Sequence, residues 1–260
     1  MADMTDKVVI VTGGGSGIGA ALADGFLAAG ARVVIAGRDT AKLEAQAARM
    51  ASPDRVRHTQ TDVGQIDDME ALIAFTVKEF GGLDVLVNNA GSGMLSPVAK
   101  LDPDIWHHVI ATDLNSCFYG AKFAIPHLLE SKGSILNISS ICGVAGDPGF
   151  SAYNAAKAGV INFTRSLAIE LGAQGVRANC ISPGLIRTPS TEQMPPSTFE
   201  QWETLIPMGR AGSVDEISGL AVFLSGPEAS YITGQNFVID GGITSHTGQP
   251  HFLRLYGMPS

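Results

Sequence analysis

Lys7-Val8-Val9-Ile10-Val11 runs straight into Thr12-Gly13-Gly14-Gly15-Ser16-Gly17-Ile18-Gly19, and that junction decides the fold class. Five residues rich in valine and isoleucine favour an extended strand. The glycines that follow permit a tight turn and bring the backbone close to whatever lies against it. From Ile18 to Ala29 the apolar residues recur at helical spacing. A strand, a glycine-rich turn and a helix in that order form a phosphate cradle. The free N–H groups at the helix start and the positive end of its dipole face an anion, here a pyrophosphate. A glycine pattern alone is weak evidence, but this context is the one the motif requires. Gly13, Gly15, Ser16, Gly17, Ile18 and Gly19 are the candidate contacts.

The same alternation continues outward. Short β-branched runs at Ala31–Ala36, Arg55–Gln60, Leu83–Val87, Ser134–Ile138, Val176–Ile181 and Asn236–Ile239, several of them almost entirely apolar, read as strands. Between them Ala41–Met50, Gln65–Phe80, Pro103–Leu129, Ala152–Leu171 and Ser213–Leu224 read as helices. Strands apolar on both faces, separated by helices, predict a doubly wound parallel α/β sheet of three layers, a Rossmann fold. One dinucleotide-binding catalytic domain is expected over residues 1–260. Ser190–Met208 breaks the alternation. Its prolines, at 195, 196 and 207, argue against a simple helix, and its Phe199, Trp202 and Leu205 are too apolar for a solvated loop. Residues 190–210 are expected to form a substrate lid, with a rigid packed excursion as the plainer reading. Residues 243–260 extend past the last strand and carry Phe252, Leu253, Leu255 and Tyr256, so they are expected to pack on their own subunit or a neighbour.

Composition narrows the function. The chain has 260 residues, 45% hydrophobic and 16% charged, with a formal net charge of −8. No run of Lys and Arg supplies the positive field that nucleic-acid binding needs. No 18-residue apolar stretch or export signal is legible, so a cytoplasmic protein is expected, off the membrane. Cys117, Cys142 and Cys180 are odd in number and lack a CxxC spacing, which fits reduced thiols. The six histidines show no metal-ligand spacing, and no metal is expected.

The end of the second strand bears on the cofactor. An acidic residue about 20 positions past the turn would hold the ribose of NAD. Here Ala36-Gly37-Arg38-Asp39 offers glycine and then arginine, whose guanidinium suits the extra phosphate of NADP. NADP is the favoured cofactor and NAD the alternative. Asp39 reads as the N-cap of the next helix.

Ser151-Ala152-Tyr153-Asn154-Ala155-Ala156-Lys157 places Tyr153 and Lys157 one helical turn apart on a shared face. An ammonium at ~4 Å and an effective dielectric of ~20 attracts a tyrosinate by roughly 4 kcal/mol before desolvation. That is enough to bring a tyrosine toward neutrality as an acid/base. Together with Thr12–Gly19, Asn88-Asn89-Ala90-Gly91 and Ser140, this segment resembles the short-chain dehydrogenase/reductase family over roughly residues 5 to 242.

The resemblance implies a hydride transfer between a nicotinamide ring and a ketone or secondary alcohol. Ser140 would hold the substrate oxygen, Tyr153 would carry the proton, and Lys157 would bind the nicotinamide ribose and act on the tyrosine. Asp62 and Val63 would meet the adenine, and Asn89, Ala90 and Gly91 would floor the cofactor site. Pro183, Gly184, Ile186 and Thr188 would orient the carboxamide. A homotetramer or homodimer is implied, with a small carbonyl or alcohol as the substrate. The family's fourth catalytic position, 27 residues before the serine, is an asparagine, and here it is Asp113. An acid there keeps a second reading open, reduction of a conjugated C=C in an enoyl or dienoyl thioester. A dinucleotide sensor or scaffold without turnover is the alternative from another class. The substrate pocket is expected to draw on Met94, Ile141, Cys142, Phe150, Leu185, Met194 and Trp202, mostly apolar residues that suit an uncharged carbonyl compound.

Overall fold

A computed structural model describes residues 2–245, 247, 249 and 252–258. Seven strands lie in one sheet in the order β3-β2-β1-β4-β5-β6-β7, and every pair is parallel. They are β1 (Val8–Thr12), β2 (Arg32–Gly37), β3 (Val56–Gln60), β4 (Val85–Asn88), β5 (Ser134–Ile138), β6 (Arg177–Pro183) and β7 (Asn236–Ile239). Period-2 alternation sends neighbouring side chains to opposite faces. Val9, Val11, Val33 and Ile35 pack with Leu22 and Phe26 of α1 (Gly17–Ala28), Leu43 of α2 (Thr40–Met50) and Ile217 of α8 (Val214–Ser225). Val8, Ile10, Val34 and Leu86 pack on the other side with Leu72 of α3 (Ile66–Phe80), Leu128 of α5 (Ser116–Ser131) and Leu167 of α6 (Ser151–Leu171). Both faces are covered at the centre of the sheet, which is why β1 and β2 read as nearly unbroken apolar runs.

The strand order reverses between β1 and β4, the neighbours at the centre of the sheet. Loops leaving adjacent strands there turn to opposite faces and open a crevice beyond the strand C-termini. The glycine turn and Asn88–Gly91 both leave from this point.

Two expectations need correction. The helix expected over Pro103–Leu129 is interrupted: α4 (Pro103–Ile110) passes through a wider, π-type turn at Ala111–Asn115 before α5. Such turns rotate the side chains they carry out of regular helical register, and this one carries Asp113. The prolines of Ser190–Met208 do not prevent a helix either. α7 (Pro196–Glu203) starts on Pro196, whose missing N–H costs nothing in a first turn that has no acceptor to offer it. Phe199 and Ile206 of this excursion form a small core with Leu185 and Ala211, against which Trp202 and Ile243 pack.

Past β7, α9 (Phe252–Leu255) is a single short turn. Phe252, Leu255 and Tyr256 are exposed on this subunit. His246 and His251 lie outside the described residues.

Candidate active site

The crevice at the switch point is a cleft of about 350 Å³ lined by the glycine turn, Arg38, Val63, Asn89–Gly91 and Thr188. Its walls fit a dinucleotide. Gly13 has φ +68°, and a Cβ on Gly19 would stand 2.2 Å from the Gly13 carbonyl oxygen. The turn therefore closes only with glycine at both positions. Ser16, at the N-cap of α1, makes no side-chain cap hydrogen bond, and the first turn holds no acid. The free N–H groups and the dipole stay available to a phosphate. Thr12 locks the turn to its neighbour: its Oγ1 accepts from Asn89 N at 2.9 Å and Ala90 N at 3.1 Å, while Asn89 Nδ2 donates to Thr12 O at 2.8 Å.

Of the remaining expected cofactor contacts, Asp62 points into its own loop, where Oδ1 accepts from Gly64 N at 3.0 Å. Ile186 is buried in the core that packs α1 and α8 on the sheet. Pro183 ends β6 and is buried, and Gly184 N donates to Ile239 O, tying the strand to β7. These three hold up the segment that delivers Thr188 to the cleft.

Beside the cleft, α6 carries Tyr153 and Lys157. The Lys157 Nζ lies 5.5 Å from the centre of the Tyr153 ring and donates to Ile138 O at 3.1 Å. Lys157 is 3% exposed, so its charge needs a partner. Asp113 supplies one: its Oδ1 stands 3.2 Å from Nζ, in ion-pair range but off the line of a hydrogen bond. Its Oδ2 accepts from Ser92 N at 2.9 Å. Burial pulls the Lys157 pKa down, but the Asp113 carboxylate outweighs it and holds the lysine above its ordinary value. Tyr153 is pushed up by burial, with Lys157 pulling it back and Asp113 opposing Lys157.

Ser140 follows β5, and its Oγ accepts from Cys142 N at 3.1 Å. The Ser140 hydroxyl is close enough to Tyr153 to favour the tyrosinate. Ser139 has a different task, since its Oγ donates to the Lys157 carbonyl at 2.8 Å and ties α6 to β5. Phe150 stands edge-on to Tyr153 with ring centres 6.4 Å apart. A phosphate cradle, a buried ammonium, a phenol and a hydroxyl beyond the C-terminal ends of the central strands can bind a dinucleotide and move a proton at a polarised oxygen.

The family profile described as Enoyl-(Acyl carrier protein) reductase matches residues 13–244. The chain belongs to the short-chain dehydrogenase/reductase family. It is 37% identical to a meso-2,3-butanediol dehydrogenase of Serratia marcescens over 249 residues, 95% of this chain and 98% of that protein. It is also 37% identical to the 3-oxoacyl-[acyl-carrier-protein] reductase FabG of Chlamydia muridarum over 243 residues, 92% of this chain and 98% of the relative. A short-chain dehydrogenase/reductase from Brucella melitensis, described as a glucose/ribitol dehydrogenase, superposes with a TM-score of 0.89 at 34% identity, covering 93% of this chain and 98% of that one. This member of the family is an NAD(P)-dependent dehydrogenase/reductase working between a carbonyl and its alcohol.

The expected substrate residues divide. Met94 is exposed, and Ile141, Cys142 and Phe150 are half-buried on the two loops beside Tyr153. Those loops are joined by Ser96 N donating to Gly149 O at 2.8 Å. Leu185 and Trp202 instead belong to the small core under α7, and Met194 borders a separate hollow with Arg187, Phe199 and Glu203. Sequence reasoning missed Lys42, Thr61 and Thr112, which also line the cofactor cleft. Lys42 carried a signal: it is the one basic residue in the first turn of the helix that Asp39 caps.

Proposed function

We propose that this enzyme reduces a small, largely uncharged ketone or aldehyde, and oxidises the matching alcohol, with Tyr153 as the general acid/base and NADP as the preferred cofactor. The observation that carries the reading is Tyr153 beside a buried, paired Lys157, next to a cleft built for a dinucleotide. When bound, the cofactor supplies or takes up the hydride.

The chain's own residues do the rest. Gly13–Gly19 and the start of α1 would hold the pyrophosphate of the cofactor, Arg38 would hold the extra phosphate of NADP, and Lys157 would hold the nicotinamide ribose. Ser140 donates a hydrogen bond to the substrate oxygen. In reduction Tyr153 Oη gives its proton to that oxygen as negative charge develops there, and in oxidation it takes the proton back. Asp113 holds Lys157 in place. Arg38 follows Gly37 where an acid would hold the ribose of NAD, which supports NADP. The three free thiols support a reducing compartment, the cytoplasm. Exposed Phe223 on α8 and Val238 on the edge strand β7 support a homodimer or homotetramer.

Initial rates of NADPH oxidation with ketones, aldehydes and enoyl thioesters test the reading. Carbonyl compounds should turn over, and Tyr153→Phe should lose at least ~10²-fold in kcat while keeping its affinity for NADPH. Near-normal turnover in the variant overturns the assignment. Turnover of enoyl thioesters alone would establish the alternative C=C reading, which the family profile's description names.

A further inference from the structure

Asp113 is the only fully buried acid among the described residues, with 0% exposure. The π-type turn between α4 and α5 aims it at α6, where its Oδ1 lies 3.2 Å from Lys157 Nζ. Gly91 leaves room for the pair: a Cβ there would come within 2.6 Å of Asp113 Oδ1 and 3.1 Å of Lys157 Nζ. The backbone N–H of Ser92 fixes the other carboxylate oxygen.

The titratable neighbours on every packed element can be named. α6 contributes Lys157 and Tyr153, the turn after β5 contributes Cys142, α5 contributes Cys117 and β6 contributes Cys180. Burial pushes Cys117 and Cys142 up to about 11 and Cys180 up to about 12. These thiols are uncharged through neutrality, so Asp113 and Lys157 are the two formal charges acting on Tyr153. Their signs are opposite.

We propose that Asp113 is a positioning residue that fixes Lys157 and cancels its charge at Tyr153, so that the tyrosine keeps its proton through neutrality and the enzyme oxidises alcohols efficiently only in alkaline solution. An uncompensated ammonium ~5 Å from a tyrosine at an effective dielectric of ~20 would draw its titration down by about two pH units. With the carboxylate in contact most of that pull is lost, and burial keeps the phenol protonated. The consequence for alcohol oxidation rests on Tyr153 being the acid/base. The cancellation itself does not.

The test is a spectrophotometric titration of tyrosinate in the cofactor-free protein, with Tyr153→Phe subtracted to isolate Tyr153. Asp113→Asn and Asp113→Ser, which both remove the charge, are titrated alongside. Tyr153 should titrate at or above the ordinary ~10 in the parent and at least one unit lower in the variants. The alkaline limb of kcat/KM for alcohol oxidation should move down by the same amount. A parent Tyr153 that titrates well below ~10 overturns the proposal without any variant. A folded variant whose titration stays in place or rises overturns it too. A titration that moves while the kinetic limb stays fixed upholds the cancellation and instead removes Tyr153 as the acid/base.

Discussion

Arg38 stands at the mouth of the cofactor cleft, just past β2, with no ion-pair partner among the described residues. Its planar guanidinium can grip a phosphate through two parallel hydrogen bonds. Lys42 lines the same mouth, but its Nζ is 3.4 Å from Asp39 Oδ2 and is already partly neutralised. Arg38→Ala should therefore weaken NADP binding by about 10- to 100-fold, the loss of a charge-assisted contact of ~1.5–3 kcal/mol. NAD, which lacks that phosphate, should lose little. Fluorescence titration of both cofactors measures this, and an equal loss for the two would remove Arg38 as the discriminator. Arg38 was legible in the sequence because it follows a strand end at a known distance from the glycine turn. Lys42 was harder to read, because its place depends on how the first turn of α2 folds back over Gly15, whose added Cβ would touch Lys42 Cβ at 3.2 Å.

At the scale of elements, the catalytic helix is held by buried polar groups. Asn88 Nδ2 of β4 donates to Asn137 Oδ1 of β5 at 2.9 Å, and Asn137 Nδ2 donates to Thr164 Oγ1 of α6 at 2.9 Å. With Ser139 Oγ on the Lys157 carbonyl, these bonds fix α6 against two strands beneath the cleft. Asn137→Ala strands the Asn88 amide in a dry interior and removes the Thr164 contact. Unsatisfied buried groups cost ~1–3 kcal/mol each, so a fall in Tm of about 5–10 °C is expected for a chain of this size, checked by thermal denaturation followed by circular dichroism. A fall under about 2 °C would mean that water or a neighbour takes over the bonds. Asn137 carried no legible role: within β5 it reads as one polar residue in an apolar strand, and its partners lie 49 and 27 positions away.

For the whole molecule, the sheet ends on β7, an edge strand with Val238 38% exposed, beside α8 with Phe223 38% exposed. Edge strands left open invite pairing with another chain. Light scattering after size exclusion should give a dimer or tetramer, and Val238→Lys combined with Phe223→Glu should give smaller species. A monomeric parent would leave this face without the partner proposed for it.

The sequence by itself determined the layered parallel sheet and the glycine cradle, while its resemblance to the family singled out Ser140, Tyr153 and Lys157 as candidates. The sheet and the cradle depend on local periodicity or on spacing within one segment, where backbone geometry alone carries the information. The tertiary structure decided what depends on separate segments meeting. It turned Asp113 out of helical register through the π-type turn and set it against Lys157, 44 residues on. It also moved Leu185 and Trp202 from an expected pocket into a core under α7. Charge pairing and burial are properties of neighbours in space: the spacing to Ser140 marked Asp113 as a candidate, and the fold set its contact with Lys157.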